Sequence, residues 1–180
     1  LKAGDEVITT THEHVGNTIS WLARARRDGI RMRVFEPSRA SAGETLDRFA
    51  SLINDRTRAI SISHITTAAG QVLPMEEIGK LAKEHGLFYF VDGAQSAGHI
   101  PLDMKAIGCH AYATSGHKWL LGPKGTGLLY IRDTASNEIL PISASTGSKI
   151  VHGVYMANGG TRNTPLMIAH GDTMDFHDVM

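Results

Sequence analysis

Four short stretches of this chain carry side chains able to move protons, bind anions or attack a carbonyl, and each follows a run of β-forming residues. They are Thr11-His12-Glu13-His14, Ser63-His64-Ile65-Thr66-Thr67, Asp92-Gly93-Ala94-Gln95-Ser96-Ala97-Gly98 and Ser115-Gly116-His117-Lys118-Trp119. In an open α/β sheet, ligands bind beyond the carboxyl ends of the strands. Convergent polar groups at four strand ends are more than packing requires. Asp92 closes the apolar run LFYFV (87–91). A carboxylate there is costly unless a cation or a hydrogen-bond donor meets it. The plainer role for Asp92 is to cap the following Gly-Ala-Gln-Ser-Ala-Gly turn through backbone N–H groups. Lys118 lies at a strand end between His117 and Trp119, a setting that strips water from its amine. Desolvation lowers an amine's pKa and makes it a nucleophile. A carbonyl compound held as an imine, with a carboxylate across the pocket, would use both residues.

The elements that must position these groups alternate along the chain. Glu6 to Thr10, Met32 to Phe35, Ala59 to Ser63, Leu87 to Val91, Ala111 to Thr114 and Thr126 to Ile131 read as strands. Between them, helical spacing links Ile19, Leu22 and Ala23 behind Asn17 as a cap, then Leu46, Phe49, Ala50 and Ile53. A third stripe, Met75, Ile78, Leu81 and Ala82, follows Pro74 and stops at Gly86. Alternating strands and helices predict a three-layer αβα domain on a mainly parallel sheet. LFYFV is apolar on both faces, as a strand covered on both sides would be. Only Ser115 to Gly125 separates the last two strands, too few residues for a parallel crossover, so Thr126 to Ile131 is expected to run antiparallel. Past Asp133 the pattern loosens and resumes as a helix from about Pro165.

The 180 residues carry 18 Lys+Arg against 18 Asp+Glu. That balance gives no electrostatic reason to expect a nucleic acid or an anionic membrane as partner. Arg24, Arg26, Arg27, Arg31 and Arg33 read as a solvated helix face and its following loop. No stretch approaches the roughly twenty apolar residues that span a bilayer. The single cysteine, Cys109, excludes an internal disulfide framework and fits a cytoplasmic setting; a small buried thiol is its default reading. The chain reads as a fragment, opening in a helix-to-strand turn and stopping in a helical pattern.

The stretch from Ser63 to Arg132 resembles the class V aminotransferases, the cysteine desulfurase-like group of fold type I pyridoxal 5'-phosphate (PLP) enzymes. The resemblance rests on VDGAQSAG (91–98) and TSGHKWLLGPKGTGLLYIR (114–132), and extends from LKAGDEVITT at the start to GGTRNTP (159–165). It implies that Lys118 holds PLP as an internal aldimine and then serves as the base for the substrate α-proton. Asp92 is implied to pair with the pyridinium nitrogen, so that the ring accepts electrons. Gln95 would hydrogen-bond the phenolic oxygen, His14 would stack on the ring, and Ser115 and His117 would hold phosphate oxygens. Thr161 would reach the phosphate of a neighbouring subunit, which implies a homodimer with shared sites. The substrate implied is an amino acid, and no metal is called for.

The resemblance also makes 1–180 the PLP-binding large domain, without its N-terminal phosphate-loop segment and its C-terminal small domain. An asparagine is usual where Thr67 stands. The substrate-carboxylate arginine and the loop bearing the desulfurase cysteine are expected after Met180. HKWLLGPKGTG and GGTRN look closer to the epimerase-like and aminotransferase members, with cysteine desulfurase or selenocysteine lyase as the alternative. A binding protein or inactive relative that keeps the fold without the chemistry is the rival from outside the enzymes.

Overall fold

The computed structural model describes residues 1–132 and the strand segments 149–151, 154–158 and 165–170. It divides into two compact units, Leu1–Asp92 with Ala106–Cys109, and Gly93–Lys105 with His110–Met180. In the first unit, β1 (Glu6–Thr10), α1 (Val15–Asp28), β2 (Arg31–Phe35), α2 (Ala42–Ala50), β3 (Thr57–Ser63), α3 (Met75–Glu84) and β4 (Phe88–Asp92) alternate as the sequence predicts. A short helix, α4 (Met104–Ile107), contributes its end to the same unit. The strands lie side by side in the order β2-β1-β3-β4, all parallel. Register sets Thr10 beside Phe35 and Ser63 beside Asp92, so the polar strand ends finish together.

Burial explains the register. Val7, Ile8, Ile60, Ile62, Tyr89 and Val91 have no exposed surface. Slipping any of these strands by one residue would turn its apolar set outward. α3 covers the Tyr89 face with Met75, Ile78 and Ala82, and the Tyr89 hydroxyl donates to the Met75 carbonyl at 3.2 Å. The opposite face is covered more thinly. There Trp21, Ala25 and Phe88 pack against Val7, Ile30 and Ala59, and α1 has no fully buried residue. β4 is therefore covered completely on one face and partly on the other, with Phe88 and Phe90 half-buried.

Two local expectations change. Ile19 and Leu22 are 56% and 51% exposed, and the inward stripe of α1 runs instead through Asn17, Trp21 and Ala25. The cap of α1 is His14, whose Nδ1 accepts the Gly16 N–H at 3.0 Å; Asn17 is drawn into contacts with the sheet. Several arginines are paired. Arg24 and Arg27 meet Asp28, and Arg33 lies 3.8 Å from the buried Glu6. Arg27 holds the Asp28 carboxyl down at about 2, chiefly through its hydrogen bond.

In the second unit, β5 (Ala111–Ser115) and β6 (Gly127–Ile131) pair antiparallel, Ser115 opposite Gly127. β7 (Lys149–Val151) and β8 (Val154–Asn158) are antiparallel, as are β8 and β9 (Pro165–His170), while β9 runs parallel to β6. The helix expected from about Pro165 is thus a strand. PLMIAH is a short apolar run whose period does not separate helix from strand, and proline is well tolerated as the first residue of a strand. The architecture is α/β and mainly parallel, with the β5–β6 reversal where the short connection requires it.

In the second unit the chain turns immediately after β4 at Gly93. A Cβ at Gly93 would lie 1.8 Å from the Tyr112 ring, and Tyr112 is fully buried, so the ring is packed on all sides. Gly93→Ala is therefore expected to destabilise the protein by about 1–3 kcal/mol through overpacking. Urea denaturation, read as a lower midpoint at unchanged slope, measures it.

Candidate active site

At the ends of β1 and β3, Glu13 accepts four hydrogen bonds. Its Oε1 takes the Thr10 hydroxyl at 2.6 Å and the Ser63 backbone N–H at 3.1 Å. Its Oε2 takes the Ser63 hydroxyl at 2.7 Å and the Asn17 amide at 2.8 Å. Asn17 in turn accepts from the Ser61 hydroxyl at 2.7 Å. The turn between β1 and α1 is thereby fastened to β3, and it carries His14 on its exposed side. His14 accepts at Nδ1, so in its neutral form the proton sits on Nε2. That capping bond lies in the plane of the imidazole and leaves the ring faces open.

Asp92 ends β4 half-buried, in register with Ser63, and its carbonyl accepts the His64 N–H at 2.9 Å. His64 is itself buried, and burial pushes its imidazole down to about 4. It is a neutral structural histidine at physiological pH. Thr66 points into its own loop, where its hydroxyl accepts the Gln71 N–H at 3.1 Å. Thr67, at the position where an asparagine is usual, is exposed.

In the second unit, the loop after Gly93 is anchored on β5. Gly93 N–H donates to the Ala113 carbonyl at 2.7 Å, and the Thr114 hydroxyl donates to the Gly93 carbonyl at 3.1 Å. The Ser96 and Tyr112 hydroxyls share a short hydrogen bond beneath the loop. This scaffold holds Gln95, whose side-chain oxygen accepts the Trp119 indole N–H at 3.0 Å. Ser115 closes β5 half-buried, and the following turn presents His117 exposed and Lys118 half-buried. Gly122 N–H returns to the Gly116 carbonyl at 2.7 Å and closes the turn. Leu121, 89% exposed, takes a left-handed φ of 56° there. Such backbone is costly for a side-chain-bearing residue and clusters at functional turns. Lys124 is exposed on the next turn.

The structure thus brings Gln95, Ser115, His117 and Lys118 into one unit, and His14 and Asp92 into the other, each at a strand's carboxyl end or in the turn beyond it. Thr161 lies outside the described residues. Cys109 is fully buried. Among the described residues no group of His, Cys, Asp or Glu is arranged to hold a metal ion, and no helix is long and apolar enough to cross a membrane. Glu13, Tyr112 and the ring of His99 were not legible as parts of the site from their residue types. The one signal for Glu13 is its place between two histidines at a strand end. For Tyr112 it is a large aromatic three residues before a strand-ending serine.

Parallel strands alternating with helices, the reversed β5–β6 pair and polar residues at the strands' carboxyl ends define an α/β domain of the kind that binds ligands at those ends. Residues 1–177 match the model of the class-V aminotransferases, and the chain belongs to that family, whose cofactor is PLP. A cysteine desulfurase of Salmonella newport (strain SL254) is 32% identical over 186 residues, covering 98% of this chain and 45% of the relative. The apo cysteine desulfurase of Thermococcus onnurineus NA1 superposes with a TM-score of 0.72 at 30% identity, over 82% of this chain and 36% of that one. The cystine C–S lyase C-DES, in complex with its product cysteine persulfide, gives 0.74 at 32% identity, over 96% and 44%. A mutant of C-DES with glycine covalently linked to PLP gives 0.75 at 35% identity, over 82% and 40%. The chain spans about half the length of the curated relatives it matches.

The donor set suits that cofactor. A half-buried amine can take an aldehyde, serine and histidine donors suit a phosphate, and a half-buried carboxylate suits a pyridinium nitrogen.

Two outcomes follow. Glu13→Gln replaces one acceptor oxygen by a donor that faces either the Asn17 amide and the Ser63 hydroxyl or the Ser63 N–H and the Thr10 hydroxyl, and should cost about 1–3 kcal/mol in denaturant unfolding. His64 takes up its proton in the unfolded chain near pH 6.5 but in the native state only near pH 4. Stability should therefore fall by about 2 kcal/mol between pH 7 and pH 5. His64→Asn should flatten that part of the pH–stability curve.

Proposed function

We propose that the protein is a PLP-dependent enzyme that acts on an amino acid, with residues 1–180 as its cofactor-binding domain and Lys118 as the anchoring lysine. One observation carries the choice of lysine. Lys118 is half-buried in the turn leaving β5, whereas Lys124 is exposed. Lys118 also follows the carboxyl end of β5, where ligands bind in an open α/β sheet. Asp92 pairs with the pyridinium nitrogen, Gln95 donates to the phenolic oxygen, and Ser115 and His117 donate to the phosphate. His14 lies against the ring, and Thr161 reaches the phosphate of a second subunit in a homodimer. The setting proposed is the cytoplasm.

Bound PLP supplies the electron sink for the carbanion formed at Cα. The protein's own part is to move the proton. Lys118 Nζ would accept the proton from Cα of the bound amino acid and return it to whichever carbon the reaction requires. Sulfur amino acids are the substrates to try first, because the relatives named above are cysteine desulfurases and a cystine C–S lyase. β-Elimination would break the bond between the side-chain carbon and sulfur and expel sulfide from cysteine or cysteine persulfide from cystine, whereas desulfuration would hand the sulfur to an accepting thiol as a persulfide. The second reading is epimerisation or transamination without C–S cleavage, and it rests on Trp119 following Lys118 in HKWLLGPKGTG. The buried Cys109 is not a sulfur carrier in either reading.

Borohydride reduction of the PLP-loaded protein should leave a pyridoxyl group on the peptide containing Lys118, located by mass spectrometry. Lys118→Ala should lose the visible absorbance of bound PLP and Lys124→Ala should keep it; a label confined to Lys124 overturns the assignment. Supplied with L-cysteine or L-cystine, the loaded enzyme should release sulfide or persulfide, and Cys109→Ala should leave that rate unchanged. Exchange of the α-hydrogen with solvent deuterium and no sulfur release would establish the second reading. Asp92→Asn should bind PLP yet slow α-hydrogen exchange by about 100-fold or more, the scale of a lost acid–base partner.

A further inference from the structure

Trp119 is a large aromatic residue left 47% exposed beside the proposed lysine, and it is not there for core packing. It belongs to a closed triangle with Gln95 and His99. Its indole N–H donates to Gln95 Oε1 at 3.0 Å. Its ring stacks on the His99 imidazole, with centroids 4.0 Å apart and planes 15° from parallel. His99 Nδ1 lies 3.2 Å from the Gln95 backbone carbonyl. A carbonyl only accepts, so Nδ1 carries the proton in that contact. The His99 N–H and the Ile100 N–H both return to the Ser96 carbonyl, at 2.9 and 3.0 Å, which fixes the histidine's backbone. Gly98 makes the approach possible, because a Cβ there would lie 2.7 Å from the Trp119 carbonyl oxygen.

The consequence lies in the polarity of one amide. A free glutamine can present either its oxygen or its NH2 to a ligand by a half-turn about its last bond. An indole N–H has no acceptor capacity, so it selects the state in which Gln95 Oε1 faces Trp119. The two Nε2 hydrogens then remain as the donors offered to a ligand. We propose that Trp119, supported by the stacked His99, is a positioning residue that sets Gln95 as an obligate donor to the cofactor's phenolic oxygen. This rests on the reading that Gln95 meets that oxygen. A donor held on an oxygen favours its deprotonated form, so the residue behind the glutamine tunes the protonation of the bound cofactor.

Trp119→Phe keeps an aromatic ring for His99 to stack on and removes the N–H along with the second ring of the indole. In the PLP-loaded protein, the pH midpoint of the visible absorbance should rise by about half a unit or more, as expected when a charged oxygen loses a fixed donor. Gln95→Ala should give a rise at least as large, and adding Trp119→Phe to Gln95→Ala should give nothing further. In the cofactor-free protein with Trp21→Phe, His99→Ala should change the emission of Trp119, the tryptophan that remains. A wild-type midpoint in Trp119→Phe with a raised one in Gln95→Ala overturns the positioning role alone. A wild-type midpoint in Gln95→Ala overturns the contact of Gln95 with the phenolic oxygen, and this proposal with it. Unchanged emission in His99→Ala overturns the support assigned to His99.

Discussion

The contact of Gly93 with the Tyr112 ring is the constraint on which the second half of the site depends. Only a residue without Cβ lets the chain pass that close to the ring. Once it does, the backbone of Gly93 is tied to β5 from both sides, by its N–H to Ala113 and by its carbonyl to Thr114. The Tyr112 hydroxyl then meets Ser96 and fixes the next part of the loop. Gln95 lies between these two anchors, so its backbone is placed by them, and its side-chain amide is left to be oriented by Trp119. A glutamine carried on an unanchored loop would have to be ordered at each binding event, at an entropic cost of the order of a kcal/mol per residue.

Glu13 does the corresponding work in the first unit. Four donors on one carboxylate form a network in which no member is left unmet. Half-satisfied polar groups at this depth would cost more than an apolar patch. The network accounts for the polar character of strand ends that are otherwise buried: Thr10, Ser61 and Ser63 are each less than 5% exposed. They spend their hydrogen-bonding capacity on the turn carrying His14, which leaves His14 as the exposed group there.

Much of this was legible in the residues, for physical reasons that differ between elements. β1, β3 and β4 were clear because their apolar runs are short and bounded by turn residues. The reversal of β6 followed from loop length alone, since eleven residues cannot carry a parallel crossover. α1 was found, but its inward face was misjudged. Ile19 and Leu22 carry a hydrophobic signal that does not say which side meets the sheet, and polar Asn17 took the inward place because Glu13 and Ser61 await it. β9 was mistaken for a helix because six mostly apolar residues satisfy either period. Among the site residues, Lys118 and Asp92 stood out by type and by the strands they follow. The couplings among Gln95, His99 and Trp119 did not, because an amide accepting from an indole across 24 residues leaves no spacing to read.

The fold itself cannot choose among transamination, epimerisation and C–S cleavage, since all begin with removal of the same α-proton on the same sheet. What differs is the fate of the carbanion, and that is governed by how long the ring holds the charge and where the lysine can return a proton. In this chain the groups that bear on both questions follow one another within a few residues. Lys118 is the proposed proton carrier. Trp119 is covalently next to it and hydrogen-bonded to Gln95. Leu121, in its left-handed conformation, and the Gly122–Gly116 hydrogen bond close the same turn. A change at the residue after the lysine therefore acts on the lysine's turn and on the glutamine's amide together.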